Sequence, residues 1–396
     1  MTIAAALAWI AAGWWLLAIG FLCLSTAAAL VQPFVQKRRA RREDLPPVSL
    51  VVPVKALDPG FERAQESLLS QAYPQAELIV SAAEEDSPAL AAMRDIVRRY
   101  SGLPVRILRS SGHFAASPKL NNLVAPFREA RHELIFMKDS NTILAPGDLE
   151  AAVRQLMSDV GLVVAIPVAT AAQNFSARIE ESIMNGAHAR VLMTASLLRR
   201  EVGVGKFMLF RRSDLDGAGG IAALASTVGE DNAMGKALAR LGLRTVFSHR
   251  VVLQELGQRR LADVYDRQMR WAVIRRDEER LAFVGEPVSF VLPAVLAAAV
   301  AAPLVGAAPL LAAAATIVGW FAAEAFLALA KGWGLSLAAP GAFLSREILL
   351  PCVWLSAWLT NKVVWAQGTY VAKPTSGPPS TPALQTAGLV RKDGDL

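Results

Sequence analysis

The sequence predicts a doubly wound α/β domain held between membrane-spanning segments. Two long stretches carry almost no charge, because residues 3–34 have none and residues 287–330 have only Glu324. Between them, short β-branched runs alternate with amphipathic stretches at βαβ spacing, which is typical of a parallel sheet covered by helices on both faces. The 54% hydrophobic content of the 396 residues is therefore assigned to membrane segments around a middle domain of ordinary globular composition.

The first apolar stretch predicts a retained anchor at residues 1–36. It is about twice as long as the apolar core of a signal peptide, and no basic residue precedes it. Basic residues follow it directly, as they do on a cytoplasmic flank. This placement assigns much of the net charge of +7 to contact with anionic lipid headgroups and argues against nucleic acid as a partner. The cluster consists of Lys37, Arg38, Arg39, Arg41 and Arg42.

The middle domain, placed at 37–286 and on the cytoplasmic side, is read as alternating strands and helices. The predicted strands are 48–54, 77–81, 105–108, 134–137 and 161–168, and the predicted helices are 61–72, 88–100, 149–157, 176–198 and 232–241. Two interpretations of 176–198 stay open, a helix packed on the sheet or an interfacial helix that touches the bilayer. Ligands of doubly wound sheets bind at the carboxyl ends of strands, where Glu84 and Asp139 lie.

The C-terminal part is predicted to be a membrane region at 287–370 and a disordered tail at 371–396. Three spans are expected, at 288–304, 309–329 and 348–364, with an interfacial or re-entrant segment at 332–343. Lys331 and Arg346 mark the intervening loop as cytoplasmic. Both cysteines fall in apolar segments, so neither a disulfide nor a cysteine metal site is expected.

A carboxylate and an amide two positions apart follow the predicted strand at 134–137. Asp139 and Asn141 offer two oxygen ligands from one strand-end loop, and Mg²⁺ or Mn²⁺ prefers such oxygens. A divalent cation there would assist the departure of a diphosphate, as transfer from a nucleotide sugar requires. The Asp-x-Asn pattern is also a common turn former, so its position after an apolar strand carries the assignment. Lys55, Lys119 and Asn122 are further candidates for donor contact.

Two downstream motifs supply the remaining chemistry. Asp231, ahead of the helix at 232–241, is a candidate general base for an acceptor hydroxyl, although Glu230 or Asp231 could equally cap that helix. Arg267 and Arg270 are three residues apart and share a helix face, where two guanidinium groups suit a diphosphate. Trp271 would pack against acceptor or sugar. The alternative for this run is a solvated basic helix beside the membrane.

Taken in chain order, several stretches resemble the bacterial and animal ceramide glucosyltransferases. The resemblance runs from about residue 48 to residue 370 and rests on residues 117–123, 138–141, 161–163, 216–220, 230–231 and 267–271. It implies a GT-A fold, a UDP-sugar donor with glucose favoured, Mg²⁺ or Mn²⁺, and an inverting single displacement on the primary hydroxyl of ceramide. It also implies an integral protein, and the Ala- and Arg-rich composition favours a bacterial inner membrane.

The resemblance assigns roles to individual residues. Asp139 would hold the metal and the donor phosphates, and Asp231 would act as the base. Arg267, Arg270 and Trp271 would form a gate around the diphosphate and the acceptor. His188 falls in register with a family histidine near the acceptor, whereas Glu84 stands where the family pattern has an aspartate, one methylene shorter.

Three other interpretations remain. Glycosyltransferases of hopanoid synthesis share the carboxylate pattern, so a hopanoid acceptor with UDP-N-acetylglucosamine or a similar donor is the first alternative. Processive polysaccharide synthases also carry an Arg- or Gln-x-x-Arg-Trp motif, but they need several more membrane helices. A non-catalytic lipid-binding protein with a decayed donor site is the third, with Glu84 as its first sign.

Overall fold

The structure, a computed structural model, describes residues 2–39, 41–100, 102–110, 114–115, 117–198, 201–365 and 368–371. Seven strands form its central sheet, namely β1 (Val48–Pro53), β2 (Ala76–Ala82), β3 (Val105–Arg109), β4 (Leu134–Lys138), β5 (Val160–Ala172), β6 (Phe207–Arg211) and β7 (Arg244–Gly257). Their order is β3-β2-β1-β4-β6-β5-β7. The five predicted strands are all present, and the α/β class is confirmed.

The prediction of an all-parallel sheet was wrong in one respect. β6 runs antiparallel to both β4 and β5, whereas the other pairs are parallel. β6 and β7 were not predicted. A five-residue apolar run such as β6 cannot be told from a buried helix segment by periodicity alone, and β7 carries several polar residues along its length.

Helices cover both faces of the sheet. They are α1 (Ile3–Lys37), α2 (Phe61–Leu69), α3 (Pro88–Arg98), α4 (Pro118–Glu129), α5 (Asp148–Gln155), α6 (Phe175–Ser182), α7 (Arg190–Leu198), α8 (Arg212–Gly217), α9 (Glu230–Arg240), α10 (Leu261–Glu278), α11 (Arg280–Gly285), α12 (Val291–Ala301), α13 (Pro309–Ala330) and α14 (Ala339–Leu359). A π-helical turn, Ile183–Ala189, joins α6 to α7, and short 3₁₀ turns occupy Gly220–Leu224, Glu286–Ser289 and Ala302–Val305.

α4 was not predicted, although the sequence contains a signal for the start of this helix. Ser117 occupies the N-cap position, where its hydroxyl accepts the Leu120 N–H at 3.3 Å, and Pro118 stands at the first helical position. A serine cap followed by proline is a common way to begin a helix. The consequence for function is that this helix presents Lys119 toward the carboxyl end of β4.

The core consists of two layers separated by the sheet. Leu50 and Val52 of β1 pack on one face, while Val51 packs on the other. This alternation is the two-residue period of a strand, and both sets are fully buried because helices lie on both faces. The carboxyl ends of β1, β2 and β4 therefore meet at one edge of a rigid core.

Three described helices are long and apolar enough to cross a membrane, namely α1, α13 and α14. The expected span at 288–304 corresponds to a pair of helical segments, Arg280–Ser289 and Val291–Val305, bent by 57°. The last predicted span was misplaced, because α14 begins at Ala339 and ends at Leu359. Residues 362–364 of the expected span belong instead to β8 (Lys362–Trp365), which pairs with β9 (Gly368–Val371). Beyond residue 371, the predicted tail lies outside the described residues.

The segment expected to be interfacial, 332–343, is divided between a loop and the first turn of α14. The charge of Arg346 suggested a loop before the last span. In the structure Arg346 is inside the helix and buried, where its guanidinium meets Glu324 of α13 at 2.7 Å. A charged side chain is tolerated in such a helix when its charge is paired, and a paired charge cannot be distinguished from a loop charge by composition.

Candidate active site

Asp139 lies between two lysines at the carboxyl end of β4. Its Oδ1 is 2.7 Å from Lys119 Nζ of α4, and its Oδ2 is 3.1 Å from Lys206 Nζ, just ahead of β6. Burial alone would raise the pKa of Asp139, but the two ammonium groups hold it well below its usual range. Asp139 is therefore a permanently charged carboxylate with two exchangeable cationic partners.

Asn141 shares one of those cations. Lys206 Nζ donates to Asn141 Oδ1 at 2.7 Å, and Asn141 Nδ2 donates to Asp58 Oδ2 at 2.8 Å. The oxygens of Asp139 and Asn141 thus converge on a single positive group, which is the arrangement that a divalent cation would need from this pair. No group of three or more His, Cys, Asp or Glu side chains suited to a metal occurs in the described part of the chain.

Lys119 connects the β4 edge to the start of α9. Its Nζ lies 3.3 Å from Glu230 Oε1 and donates to the Gly205 carbonyl at 3.1 Å, in addition to its contact with Asp139. Burial lowers the pKa of Lys119, but the surrounding carboxylates outweigh it and raise that pKa above its ordinary value. The predicted donor residue Lys119 is thus a charged bridge between two of the predicted motifs.

Asp231 is held by backbone N–H groups. Its Oδ2 accepts from Gly205 N at 2.7 Å and its Oδ1 from Asn232 N at 2.9 Å. Burial raises the pKa of Asp231 and Glu278 adds to this, while Lys119 and the two N–H groups oppose it, with a raised pKa as the result. A carboxylate held in position with a raised pKa is suited to act as a general base.

The helix-cap alternative for this motif is answered by the start of α9. Gly229 occupies the N-cap position, and Glu230 and Asp231 stand in the first helical turn. The Glu230 carboxylate is buried and accepts from the Ser117 hydroxyl at 2.8 Å. Glu230 therefore ties α9 to α4, and Asp231 lies in the first turn of α9, where its Oδ1 accepts the Asn232 N–H, while Gly229 holds the N-cap position itself.

Two glycines that the sequence analysis did not single out make this arrangement possible. A Cβ added to Gly205 would lie 3.0 Å from both Asp231 Oδ2 and Lys119 Nζ. A Cβ added to Gly203 would lie 1.8 Å from the Asp231 carbonyl oxygen, which no side chain tolerates. The segment before β6 thus approaches α9 as closely as backbone allows. The Gly-x-Gly spacing ahead of an apolar run was the signal available in the sequence.

The arginines of α10 lie beside these carboxylates. Arg267 Nη1 is 2.8 Å from Glu180 Oε1, and its guanidinium carbon lies 5.9 Å from the centre of the Trp271 ring. Burial and, to a lesser extent, Arg267 lower the pKa of Arg270 to about 10, although Asp139 and Glu230 oppose the shift. The solvated-helix alternative is wrong for these residues, since Arg267, Arg270 and Trp271 are all at least partly buried.

His188 lies in the π-helical turn and faces Trp271. The two ring centres are 5.3 Å apart and the rings are inclined by 56°. Burial, with Arg275 and Arg346 nearby, lowers the pKa of His188 to about 3. The imidazole is consequently neutral at physiological pH. Isolated π-helical turns occur frequently at functional sites, and this one brings the two predicted acceptor-side residues together.

The remaining predicted donor residues lie along the same edge of the sheet with different surroundings. Asn122 is buried, and its Nδ2 donates to the carbonyls of Val54 at 3.3 Å and Ser81 at 3.2 Å, so it ties the ends of β1 and β2 together. Lys55 and Glu84 are exposed in the loops that follow those two strands. The amide nitrogen of Asn122 is used in these two hydrogen bonds, whereas the side chains of Lys55 and Glu84 are accessible to a ligand.

Comparison with known proteins identifies a glycosyltransferase family. The sequence profile described as Glycosyl transferase family 21 matches residues 13–376. Ceramide glucosyltransferase 1 of Caenorhabditis elegans is 26% identical over 233 residues, which cover 58% of this chain and 50% of the relative. The ceramide glucosyltransferase of Komagataella phaffii is 24% identical over 306 residues, which cover 61% of this chain and 60% of the relative. The chain thus spans about half to three fifths of the length of these relatives.

A solved structure supports the fold. The mannosyltransferase of Pyrobaculum calidifontis, in complex with GDP-Man and Mn²⁺, superposes with a TM-score of 0.50 at 17% identity and covers 87% of this chain and 99% of its own. The resemblance to ceramide glucosyltransferases and the GT-A fold that it implied are both confirmed. With a family profile that spans most of its length, the chain belongs to glycosyl transferase family 21.

Proposed function

We propose that this protein is an inverting hexosyltransferase that moves glucose from UDP-glucose to the primary hydroxyl of ceramide at the membrane surface. The observation that carries the proposal is the coupling of Asp231 to Asp139 through Lys119 and Gly205. It joins a candidate base to a candidate donor-phosphate site within one connected set of side chains. Family membership and relatives named ceramide glucosyltransferase support the same reaction class.

The donor would bind along the carboxyl ends of β1, β2 and β4. Lys55 and Glu84 flank the position expected for the nucleotide, and Arg267 and Arg270 offer positive charge to the diphosphate. Asp139 and Asn141 would hold Mg²⁺ or Mn²⁺, which supplies charge neutralisation for the leaving diphosphate when bound. Because Lys206 bridges these two oxygens, its ammonium would move toward the phosphates as the site fills.

The acceptor hydroxyl would approach Asp231 from the side of His188 and Trp271. Asp231 takes the hydroxyl proton while the oxygen attacks the anomeric carbon and UDP leaves from the opposite face, so the anomeric configuration inverts. Its two backbone hydrogen bonds keep the carboxylate in place during this transfer. Neutral His188 and the Trp271 ring would form a wall that aligns the hydroxyl-bearing end of the lipid.

The membrane helices favour a lipid acceptor. α1, α13 and α14 supply candidate spans around the catalytic domain, for which we propose boundaries at 37–286, a cytoplasmic location and a bacterial inner membrane. The basic cluster after α1 supports that orientation. A hopanoid acceptor with UDP-N-acetylglucosamine is the second candidate, since the site chemistry is the same and only the shape of the lipid differs.

The test is mass spectrometry of lipids after reaction of membranes that contain the full chain with a panel of UDP-sugars. Ceramide and a hopanoid are supplied in separate reactions, and the Asp231→Asn protein is the matched control. A new hexosyl-ceramide that the control lacks is the expected result. Modification of the hopanoid alone would reassign the acceptor. If neither lipid reacts and the protein binds no UDP with metal, the non-catalytic interpretation replaces the proposal.

A further inference from the structure

One buried carboxylate is shared by two arginines next to the active site. Glu180 of α6 is 1% exposed, and its Oε1 lies 2.8 Å from Arg267 Nη1 while its Oε2 lies 3.4 Å from Arg259 Nε. Guanidinium groups stay protonated in proteins, so this trio carries one uncompensated positive charge. Arg267 was predicted from its motif, but Arg259 was not predicted at all.

Arg259 is held rigidly by its backbone. It stands between the end of β7 and the start of α10, where Asn174 Nδ2 donates to its carbonyl at 2.9 Å and Asn174 Oδ1 accepts its N–H at 3.2 Å. Its side chain is mostly buried, at 13% exposure. Nε and Nη2 are both buried, and neither donates a hydrogen bond to any part of the chain that the structure describes. Buried donors without acceptors cost free energy, so a ligand that supplies acceptors would bind there favourably.

The position of Arg259 connects it to the donor site. Asp58, which accepts a hydrogen bond from Asn141, acts to raise the pKa of both Lys206 and Arg259. Arg267 acts to lower the pKa of Lys206, Arg270 and Arg259. Through their shared contact with Glu180, the guanidinium of Arg259 lies next to Arg267, the predicted diphosphate contact.

We propose that Arg259 binds a phosphate group of the nucleoside diphosphate donor, with Glu180 orienting its guanidinium alongside that of Arg267. This inference rests on the proposed function. A phosphate suits the site because it is an anion with several acceptor oxygens, and the planar fork of arginine matches it in two hydrogen bonds. Arg259 lies outside the Arg-x-x-Arg-Trp motif and adds a third guanidinium to the two that the motif supplies.

The experiment compares binding of UDP, UMP and uridine to the purified full-length protein with Mn²⁺ present. Arg259→Met keeps most of the aliphatic stem and removes the fork and its charge. We expect the Kd for UDP to rise about tenfold to a hundredfold, the usual cost of removing a hydrogen bond to a charged group. The Kd for uridine should stay unchanged, because uridine has no phosphate. Arg259→Lys, which keeps the charge without the fork, should fall between the two proteins.

Arg260→Met is the matched control. Arg260 is the next residue, its side chain is 83% exposed and it pairs with Asp263 on the surface, so its loss should leave UDP affinity unaltered. Equal UDP affinity in Arg259→Met and the unmodified protein would overturn the inference, and so would an equal loss for UDP and uridine. An unmodified protein that binds no UDP would instead overturn the proposed function, and the phosphate assignment with it.

Discussion

Two charged clusters in the described part of the chain differ in how completely their charges are satisfied. The active-site cluster lies at the edge of the sheet and consists of Lys119, Asp139, Lys206, Glu230 and Asp231. The membrane-side cluster joins the π-helical turn region to α13 and α14 and consists of Arg190, Glu324, Arg346 and Glu347.

The membrane-side cluster is closed. Two arginines face two glutamates, and all four residues are at most 3% exposed. Arg346 also donates to the Ser182 carbonyl at 3.1 Å, and Trp320 Nε1 donates to Glu324 at 3.1 Å. A Cβ added to Gly186 would lie 2.8 Å from both Arg346 Nη1 and Glu324 Oε2. These paired charges hold α7 against the candidate spans α13 and α14, so the cluster acts as a clamp between these helices.

The active-site cluster is open. The Asp139 side chain is 26% exposed, and its two lysine partners are 16% and 12% exposed. Its ammonium and carboxylate groups can exchange partners when a charged ligand arrives, since solvent already reaches them. A balanced, buried set of charges thus stabilises the fold, whereas a partly exposed set of similar composition is suited to bind a charged ligand.

The largest effect is expected from Asp231→Asn in the open cluster. Loss of the proposed general base should lower the rate of transfer by a factor of about 10² to 10⁴, while the affinity for UDP stays close to that of the unmodified protein. Initial rates of glycolipid formation and equilibrium UDP binding, measured on the same preparations, check both parts. Unchanged turnover would remove Asp231 from the mechanism.

Breaking the closed cluster should affect stability. Arg346→Met leaves two buried glutamates with one arginine, and such an imbalance costs about 3–5 kcal/mol in the free energy of unfolding. Thermal unfolding in detergent measures the change. The matched control is Arg98→Met, which removes one partner of an exposed pair with Asp95 and should alter stability by less than about 1 kcal/mol. Similar losses in both variants would contradict the distinction between clamp and surface pair.

A smaller effect on binding is expected from Asp139→Ala. Removal of the carboxylate deletes a proposed metal ligand and leaves Lys119 and Lys206 without their shared partner. The metal-dependent part of UDP affinity should fall by about a hundredfold, as expected for loss of a charged contact. Calorimetric titration of UDP with and without Mn²⁺ measures this part directly. A curve identical to that of the unmodified protein would place the metal elsewhere.

The smallest effect, taken over one pH unit, concerns Lys138, a buried lysine that belongs to neither cluster. Its Nζ donates to the carbonyls of Asp139 and Thr142 at 3.3 and 3.0 Å, and burial lowers its pKa to about 7 from 10.5. Between these values the unfolded chain holds the proton and the folded protein does not, so stability should rise with pH from about 7 to about 10, by at most about 1.4 kcal/mol per pH unit.

Lys138→Met removes that dependence. Chemical unfolding at pH 7.5 and 8.5 should show a gain in stability with pH for the unmodified protein that is smaller in the variant. The His188 imidazole contributes nothing to this range, since its pKa is lowered to about 3. Equal slopes in the two proteins would show that Lys138 keeps its proton when folded.

Features that depend on neighbouring residues could be predicted from the sequence. The apolar stretches, the five predicted strands and the start of α9 follow from local composition and spacing. Asp139 could be assigned to a strand end because the run before it is apolar and continuous, and the carboxyl ends of strands in such sheets gather ligands. The order of the short motifs then sufficed to identify the family.

Contacts between residues far apart in the chain became visible in the packed structure alone. Lys206 reaches Asp139 because β6 pairs antiparallel to β4, and Arg259 shares Glu180 with Arg267 because β7 ends beside α6. Arg346 looked like a loop charge until Glu324 was found opposite it. Electrostatic partners act through space, and separation along the chain carries no information about them until the sheet and the helices have packed.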